Sequence, residues 1–516
     1  MVRRLALPLL ALTSACIHLF NKVEARRLDP QQPVTVTSPV KAHLLDGRTV
    51  IFPNGVAVSD GAVRGDGYRY GLTLRDSTAV LLVPLDSVVG MEVFEESQDG
   101  VKSFLVSAVA TAATLVATAG LAVAIFGSCP TIYTDSAGSV QLEAEAFSYS
   151  IAPIFESRDV DRLRVRSAPD GSVRLEVRNE ALETHYVNQL ELLEVSHDSS
   201  ESAFVDELNR LVVVADQRLL ARASDRRGHD VSGALRAEDG DLYRTDARTL
   251  NAAALGDLDD WINLVAAPPP DVDSVVVVLR LRNSLLNTTL LYDVMLGEPG
   301  ARSLDWVGQD LKQVGPALEV AQWYQQRMGM DVVVAAGSGE NSSYQVVAHV
   351  KDTGPIAWKD VAVVIPVLTR DSVRIRLRFP ADNWRIDRAV LAGRYRRVTA
   401  QVVPLVEVET PHFSQDAALA SLRTADSRYV QTSPGERLTA VFRPSSPPAG
   451  RAATRTFFVA SQGYYIEWMR PGWLRAPLAD RVFVPSDSGL ARAMTRWRGA
   501  QDSLETLFAA TRIPVR

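Results

Sequence analysis

Hydrophobic positions divide the chain into two continuous apolar runs and a long remainder of short alternating segments. The first run, residues 5–12, follows two arginines and precedes small residues and Cys16. The second run, residues 103–126, contains no charged residue. Elsewhere apolar and polar residues alternate over short stretches, which is typical of β-strands with one buried face. The pattern predicts a mainly β chain with two membrane-directed segments.

The N-terminal run has the order of a secretory signal: Arg3 and Arg4, then the apolar run, then the small residues 13–15. A cysteine directly after the small residues is typical of bacterial lipoprotein signals, in which that cysteine carries lipid as the first mature residue. We therefore expect a signal peptide over 1–15 and lipid on Cys16. An ordinary signal peptide and an uncleaved membrane anchor are the alternatives.

The second apolar run would form a helix of about 36 Å, which is enough to cross a bilayer core. Its many small residues favour close helix packing in a membrane, while a buried helix of a soluble domain is the alternative. Lys102 precedes the run and the next cation, Arg158, lies far downstream. That order opposes a single span after an exported N-terminus. We therefore expect extracytoplasmic domains on both sides of a segment that lies on or partly within the membrane.

Turn signals and strand rhythm predict the domain organisation. After a polar tether over 16–39, five short strands separated by hairpin dipeptides predict a small β-barrel over 40–95. Those dipeptides are Asp46-Gly47, Asn54-Gly55, Asp60-Gly61 and Asp66-Gly67. A β-rich domain follows over 129–267, with a short helix expected at 201–211. The prolines 268–270 mark a boundary or a long connection.

The C-terminal half is predicted to be a β-sandwich assembly with a few helices. Residues 271–400 contain a continuous β-branched strand at 274–281, two helices between 304 and 328, and several alternating strands. Residues 401–516 form a β-rich tail ending in a helix over 488–511. The predicted fold class is thus mainly β and multidomain, with a small N-terminal barrel and one long apolar helix.

Three resemblances accompany these predictions. The strand rhythm of 40–95 resembles SH3-like and Sm-like small barrels. Residues 271–400, with alternating Val373, Ile375, Leu377 and Phe379 before the Trp-Arg-Ile-Asp segment 384–387, resemble a galactose-binding-like jelly roll. The order of signal, barrel, apolar helix and Cys129-Pro130 resembles a family of uncharacterised bacterial lipoproteins. These resemblances imply folds, and they imply no particular activity.

Composition narrows the function classes. The 516 residues are too many for one core and predict about three domains. A net charge of −6 without a dense Lys/Arg block argues against a nucleic-acid partner. Only Cys16 and Cys129 occur, so no disulfide framework is expected, and Cys129 is interpreted as a small buried residue rather than a reactive thiol.

Motifs that carry chemistry are not found in the sequence. No two of the seven histidines have metal-ligand spacing, and no phosphate-binding glycine loop occurs. Residues 337–339 are interpreted as a hairpin loop rather than a nucleophile elbow. Asp159 and Asp161 are interpreted as solvated turn residues rather than an acid–base pair. No catalytic residue, metal ligand or cofactor is therefore assigned.

An aromatic group near the C-terminus is the candidate ligand site. On a strand, Tyr464, Trp468 and Arg470 would share one face, with Trp473 close behind. Aromatic rings beside an arginine suit stacking on, and hydrogen bonding to, a sugar. Core packing is the alternative, because buried aromatics dominate protein cores. The same alternative applies to Trp358 and Trp384.

The sequence hypothesis is therefore a membrane-anchored lipoprotein of the cell envelope, at the outer membrane or the periplasmic face. Its expected partners are membrane lipid, through Cys16 and residues 103–126, and a glycan or an envelope protein. A binding or structural role is favoured over the alternative, a hydrolase acting on polysaccharide or peptide. Clustered carboxylates or a Ser/His/Asp arrangement in a deep pocket would favour the hydrolase, and a shallow face lined by aromatics would favour binding.

Overall fold

The computed structural model confirms a mainly β chain built from several sheets. It describes the following residues: 21–28, 33–44, 48–70, 77–98, 130–136, 139–165, 168, 170–181, 183–300, 302–308, 310–337, 343–445, 453–467, 482–512 and 515. Cys16, Cys129, the signal over 1–15 and the apolar segment 103–126 lie outside them. None of the described helices is long and apolar enough to span a membrane.

The N-terminal strands form one antiparallel sheet of eight strands. They are β1 (Asn21–Leu28), β2 (Val34–Val36), β3 (Val40–Leu44), β4 (Thr49–Phe52), β5 (Val56–Ser59), β6 (Ala62–Tyr70), β7 (Ser77–Pro84) and β8 (Val88–Gln98). The order is β1-β8-β3-β4-β6-β5-β2, with β7 on the other side of β6. The predicted small barrel over 40–95 is not shown. Residues 21–28 and 34–36 of the predicted tether are strands of this sheet.

Two of the predicted hairpin dipeptides behave differently from each other. Asp60 and Gly61 both have positive φ (50° and 70°) and turn the chain from β5 into β6, as predicted. Asp66 and Gly67 lie inside β6, where the pairing with β7 shifts register. A Cβ at Gly67 would stand 2.6 Å from Cδ1 of the buried Phe52. Glycine at this position therefore allows close packing at a bulge, and the predicted turn is wrong.

Two five-stranded sheets combine the first strands after residue 129 with the C-terminal tail. Their strands are β9 (Thr131–Ser136), β10 (Ser139–Glu145), β11 (Ser157–Arg162), β12 (Val173–Arg178), β13 (Glu183–Asp198), β24 (Gln401–Val403), β25 (Leu405–Glu409), β26 (Val430–Thr432), β27 (Arg437–Phe442) and β28 (Ala453–Glu467). β12 pairs with β27, and β13 pairs with β28 along its whole length. The tail is therefore part of the same sheets as residues 131–198.

The remaining strands are β14 (Ser202–Asp206), β15 (Leu211–Leu219), β16 (Arg222–Ser224), β17 (Asp259–Ala266), β18 (Ser274–Asn283), β19 (Met330–Ala335), β20 (Tyr344–Val350), β21 (Lys359–Pro366), β22 (Val373–Pro380) and β23 (Trp384–Val398). They form a closed barrel, β14-β15-β23-β18-β21, and a sheet, β16-β17-β22-β19-β20, called here the outer sheet. The predicted alternation in β22 is confirmed, since Val373, Ile375, Leu377 and Phe379 enter the core shared by the barrel and the outer sheet. Residues 268–270 lie in the connection between β17 and β18.

Helices pack against these sheets and share a core with them. They are α1 (Ala247–Ala254), α2 (Leu286–Thr289), which continues as π-helix over Leu290–Gly297, α3 (Arg302–Gly308), α4 (Val314–Met328), α5 (Gln415–Leu422) and α6 (Asp487–Thr511), with 3₁₀ turns at Leu85–Ser87, Pro153–Phe155, Gly233–Leu235 and Asp310–Lys312. The predicted C-terminal helix is confirmed, and it buries Leu490, Met494 and Trp497. The predicted helix at 201–211 is wrong, because β14 and the start of β15 occupy those residues.

Candidate ligand-binding face

Of the four residues of the predicted aromatic ligand site, the structure describes Tyr464, and this residue lies in the core. Tyr464 is fully buried and stacks on Tyr186, with ring centroids 4.6 Å apart and an interplanar angle of 11°. Tyr429 packs edge-on against it. Trp468, Arg470 and Trp473 lie outside the described residues. Tyr464 is therefore a core residue, and its ring is not available to a ligand.

The two tryptophans of the predicted jelly roll also serve packing. Trp384 is fully buried in the core between the barrel and the outer sheet. The guanidinium carbons of Arg280 and Arg282 lie 5.5 Å and 5.1 Å from the ring centroid of Trp358. Both arginines thus cover this ring.

A row of polar and aromatic side chains crosses the solvent-facing side of the outer sheet. Trp261 of β17 is paired with Arg378 of β22, Arg378 with Asp331 of β19, and Asp331 with His349 of β20. Their chain neighbours, such as Ile262 and Leu377, point into the core, so the alternation of each strand turns the row outward. Adjacent strands are about 4.8 Å apart, so the row extends about 14 Å.

Direct contacts hold the three polar members of this row together. Asp331 Oδ1 is 2.9 Å from His349 Nδ1, and Asp331 Oδ2 accepts a hydrogen bond of 2.5 Å from Arg378. Burial by itself raises the pKa of Asp331, but the hydrogen bonds and charges of His349 and Arg378 outweigh it, so the pKa is below its usual value. Both carboxylate oxygens are occupied, and Asp331 is accordingly a fixed anion.

Three members of the row, Asp331, His349 and Arg378, border a cleft of about 450 Å³. Gln322, Gln325 and Gln326 of α4 line its other side. This volume is within the range of about 300–1,000 Å³ that is usual for small-molecule sites. Each glutamine amide offers both donors and acceptors, as the hydroxyl groups of a sugar require. The cleft therefore presents amide, guanidinium and carboxylate groups side by side.

An arginine held against aromatic rings continues this face. The guanidinium carbon of Arg376 lies 4.3 Å from the ring centroid of Tyr344 and 5.1 Å from that of Trp261. Its Nε donates a hydrogen bond of 2.8 Å to Asn263 Oδ1. Arg226 approaches Trp261 as well, at 4.7 Å. Arginine and aromatic side chains thus form an aromatic–arginine surface beside the cleft.

The His349–Asp331 pair has two members of a Ser/His/Asp arrangement but not its geometry. In such a triad one imidazole nitrogen faces the carboxylate and the other faces the nucleophile. His349 Nε2 is buried without a hydrogen-bond partner among the described residues, and it lies against Gly329 so closely that a Cβ there would overlap it. No serine, threonine or cysteine is among the described residues that line the cleft. The second imidazole nitrogen therefore faces the backbone at Gly329 and not a described hydroxyl.

A second polar cluster is buried between β11 and the barrel. Asp159 and Asp161 are only 4% and 5% exposed, so interpreting them as solvated turn residues was wrong. Lys359 Nζ lies 2.7 Å from Asp159 Oδ1 and 2.9 Å from Asp161 Oδ1. The adjoining cavity is about 30 Å³, which has room for water but not for a sugar ring or a peptide. This cluster therefore joins two parts of the fold and offers no substrate pocket.

Titration of this cluster follows from its burial. Burial and the charge of Asp159 raise the pKa of Asp161 to about 7, against the opposing effect of Lys359. Burial likewise raises the pKa of Asp352 to about 6, although Gly354 N–H, Tyr324 and Ser148 donate hydrogen bonds to it. One lysine faces two carboxylates, so a proton on Asp161 removes the uncompensated charge. No group that could hold a metal ion occurs among the residues that the structure describes.

Sequence reasoning missed the outer face for a specific reason. In β22 the apolar alternation was used to predict the buried side, while the arginines between those positions define the exposed side. Trp261, Asp331 and His349 are far apart in sequence, and only strand pairing brings them together. The available signal was the Arg374-Arg376-Arg378 alternation, which places three cations on one face of a strand.

Comparison with known proteins identifies no family. No family model and no curated protein matches the chain. Among solved structures, a GH31 α-xylosidase from Xanthomonas citri is 9% identical, with a TM-score of 0.16 over 85% of this chain and 38% of the enzyme. A cycloalternan-forming enzyme from Listeria monocytogenes is 9% identical, with a TM-score of 0.15 over 72% and 30%. A structure of infectious bursal disease virus, Gx strain, is 10% identical, with a TM-score of 0.15 over 95% and 89%. TM-scores this low do not indicate a shared fold.

Proposed function

We propose that this protein is a membrane-tethered, extracytoplasmic lipoprotein that binds a glycan on the outer sheet. The observation that carries the proposal is the cleft between α4 and the Arg378–Asp331–His349 part of the row, with Trp261 and Arg376 beside it. The cleft supplies hydrogen-bond donors and acceptors for the hydroxyl groups of a sugar. The aromatic–arginine surface beside it suits the apolar face of a sugar ring.

A binding role fits this geometry better than hydrolysis. A general base needs a free nitrogen or oxygen within hydrogen-bond reach of the reacting group. His349 Nε2 is covered by Gly329, and both oxygens of Asp331 are engaged by neighbours. The buried Asp159–Lys359–Asp161 cluster adjoins a cavity too small for a substrate. The hydrolase alternative therefore has no described group placed to act on a bound sugar.

Strand register supports the membrane tether. Asn21, five residues after Cys16, is paired with Gln98, five residues before the apolar segment. The predicted lipid site and the start of residues 103–126 are thus joined to the same end of the β1–β8 ribbon. Five residues extend at most about 18 Å, so both attachments are able to reach one membrane surface.

The experiment is glycan binding by the full chain in detergent, measured by calorimetry against a panel of neutral and acidic oligosaccharides. The Gln322→Ala/Gln326→Ala double variant removes two amides from the cleft. Each hydrogen bond contributes about 0.5–1.5 kcal/mol, so we expect affinity to fall by about tenfold or more. Gln141→Ala, an exposed glutamine on β10, is the matched control and should bind as the wild type does.

Two results would contradict the proposal. Binding unaffected by the double variant would place the ligand elsewhere. Release of reducing ends from a bound oligosaccharide, abolished by His349→Ala, would show that the site is a hydrolase site after all.

A further inference from the structure

Arg376, the middle residue of the Arg374-Arg376-Arg378 alternation on β22, is held on three sides by described residues. Tyr344 and Trp261 lie against its guanidinium, and Asn263 accepts from its Nε. These contacts fix the plane of the guanidinium. Neither of its Nη atoms hydrogen-bonds to any residue that the structure describes. The fork formed by the two Nη atoms is therefore held in place, and no described residue supplies an acceptor for it.

The described residues also provide no counter-charge for Arg376. Arg378 is paired with Asp331 at 2.5 Å, and Arg226 is paired with Asp257 at 2.6 Å. Arg376 makes no ion pair with any described residue, and its side chain is half-buried. A half-buried arginine with a fixed plane and an unused fork matches the geometry of a carboxylate, which accepts two parallel hydrogen bonds.

We propose that the ligand of the outer sheet is an acidic glycan, and that Arg376 binds a carboxylate of one of its sugar units. The carboxylate accepts from both Nη atoms, while hydroxyl groups of an adjoining unit meet the glutamines and Arg378 in the cleft. The two arginines are two positions apart on β22, which is about 7 Å along the strand. One or two sugar units bridge such a distance. This inference rests on the proposed function, since it names the ligand class of that same site.

The test compares trigalacturonate, which carries a carboxylate on each unit, with neutral maltotriose, using the full chain in detergent. We expect Arg376→Gln to weaken trigalacturonate binding at least tenfold and to leave maltotriose binding unchanged. Arg376→Lys keeps the charge but loses the planar fork, so it should recover only part of the affinity. Added salt should weaken the acidic ligand alone, because it screens the charge pair.

The matched control is Arg394→Gln. Arg394 is an exposed strand arginine paired with Asp216 at 2.7 Å, on the barrel rather than the outer sheet. It should bind trigalacturonate as the wild type does, and melting temperatures should show that all three variants are folded. Equal losses for both oligosaccharides, or full affinity in Arg376→Gln, would overturn the assignment of the carboxylate while leaving a glycan site intact. Absence of binding to every glycan would instead refute the proposed function itself.

Discussion

The indole Nε1 of Trp497 donates a hydrogen bond of 2.7 Å to Oδ2 of Asp382, and both side chains are buried. Asp382 lies in the turn between β22 and β23, and Trp497 lies on α6. The same carboxylate accepts from Arg385 at 2.7 Å. One buried anion therefore attaches the C-terminal helix to the strand that carries the candidate ligand face.

Replacing this anion should destabilise the protein strongly. Asparagine tolerates the left-handed backbone of residue 382, where φ is 59°. The Asp382→Asn variant therefore tests the loss of charge and not backbone strain. Arg385 would lose its buried partner, which typically costs about 3–5 kcal/mol. Tryptophan fluorescence during urea unfolding should show a lower midpoint. Asp273→Asn is the control, since this aspartate is 96% exposed and its pair with Arg370 should contribute under about 1 kcal/mol. Equal midpoints for Asp382→Asn and the wild type would contradict this role.

Stability should depend on pH through Asp161. Its pKa in the folded state, about 7, lies above its ordinary value, so the folded protein holds this proton more tightly than the unfolded chain. The resulting contribution is complete below the unfolded pKa and is lost as pH rises through about 7. Asp161→Asn should flatten the fall in unfolding free energy between about pH 4 and pH 7. Asp371→Asn, an exposed site, should keep the wild-type slope, and an unchanged slope in Asp161→Asn would refute the assignment.

Tyr464 should behave as a core residue. Tyr464→Ala removes a fully buried ring stacked on Tyr186, and such truncations cost about 3–5 kcal/mol. We expect a markedly lower melting temperature, with Tyr68→Ala as the control because Tyr68 is 49% exposed. A stable Tyr464→Ala variant that had lost only ligand binding would restore the original ligand hypothesis for this residue.

Lipid attachment is predicted at Cys16. In cells fed a radioactive fatty acid, the wild type and Cys129→Ser should carry the label, and Cys16→Ser should not. Cys16→Ser should also leave the membrane fraction unless residues 103–126 retain it. Label on the Cys16→Ser variant, or none on the wild type, would exclude this anchor.

Features that depend on local pattern are predictable from the amino-acid sequence. Alternation in β22 identifies its buried side, β-branched residues predict β18, and the apolar spacing of Leu490, Met494 and Trp497 predicts α6. Each of these follows from which side of a single strand or helix avoids water. Local dipeptides were less reliable, since Asp60-Gly61 turns the chain while Asp66-Gly67 forms a bulge against Phe52.

Contacts between residues that are distant in sequence depend on how the strands pair in three dimensions. The pairing of β13 with β28 places the tail beside residues 183–198, and the pairing of β17, β22, β19 and β20 aligns Trp261 with His349. The burial of Asp159 and Asp161 likewise depends on Lys359 arriving from another strand. Strand partners are chosen by the packing of whole sheets around a common core, and this choice leaves no mark on the short-range pattern of either strand.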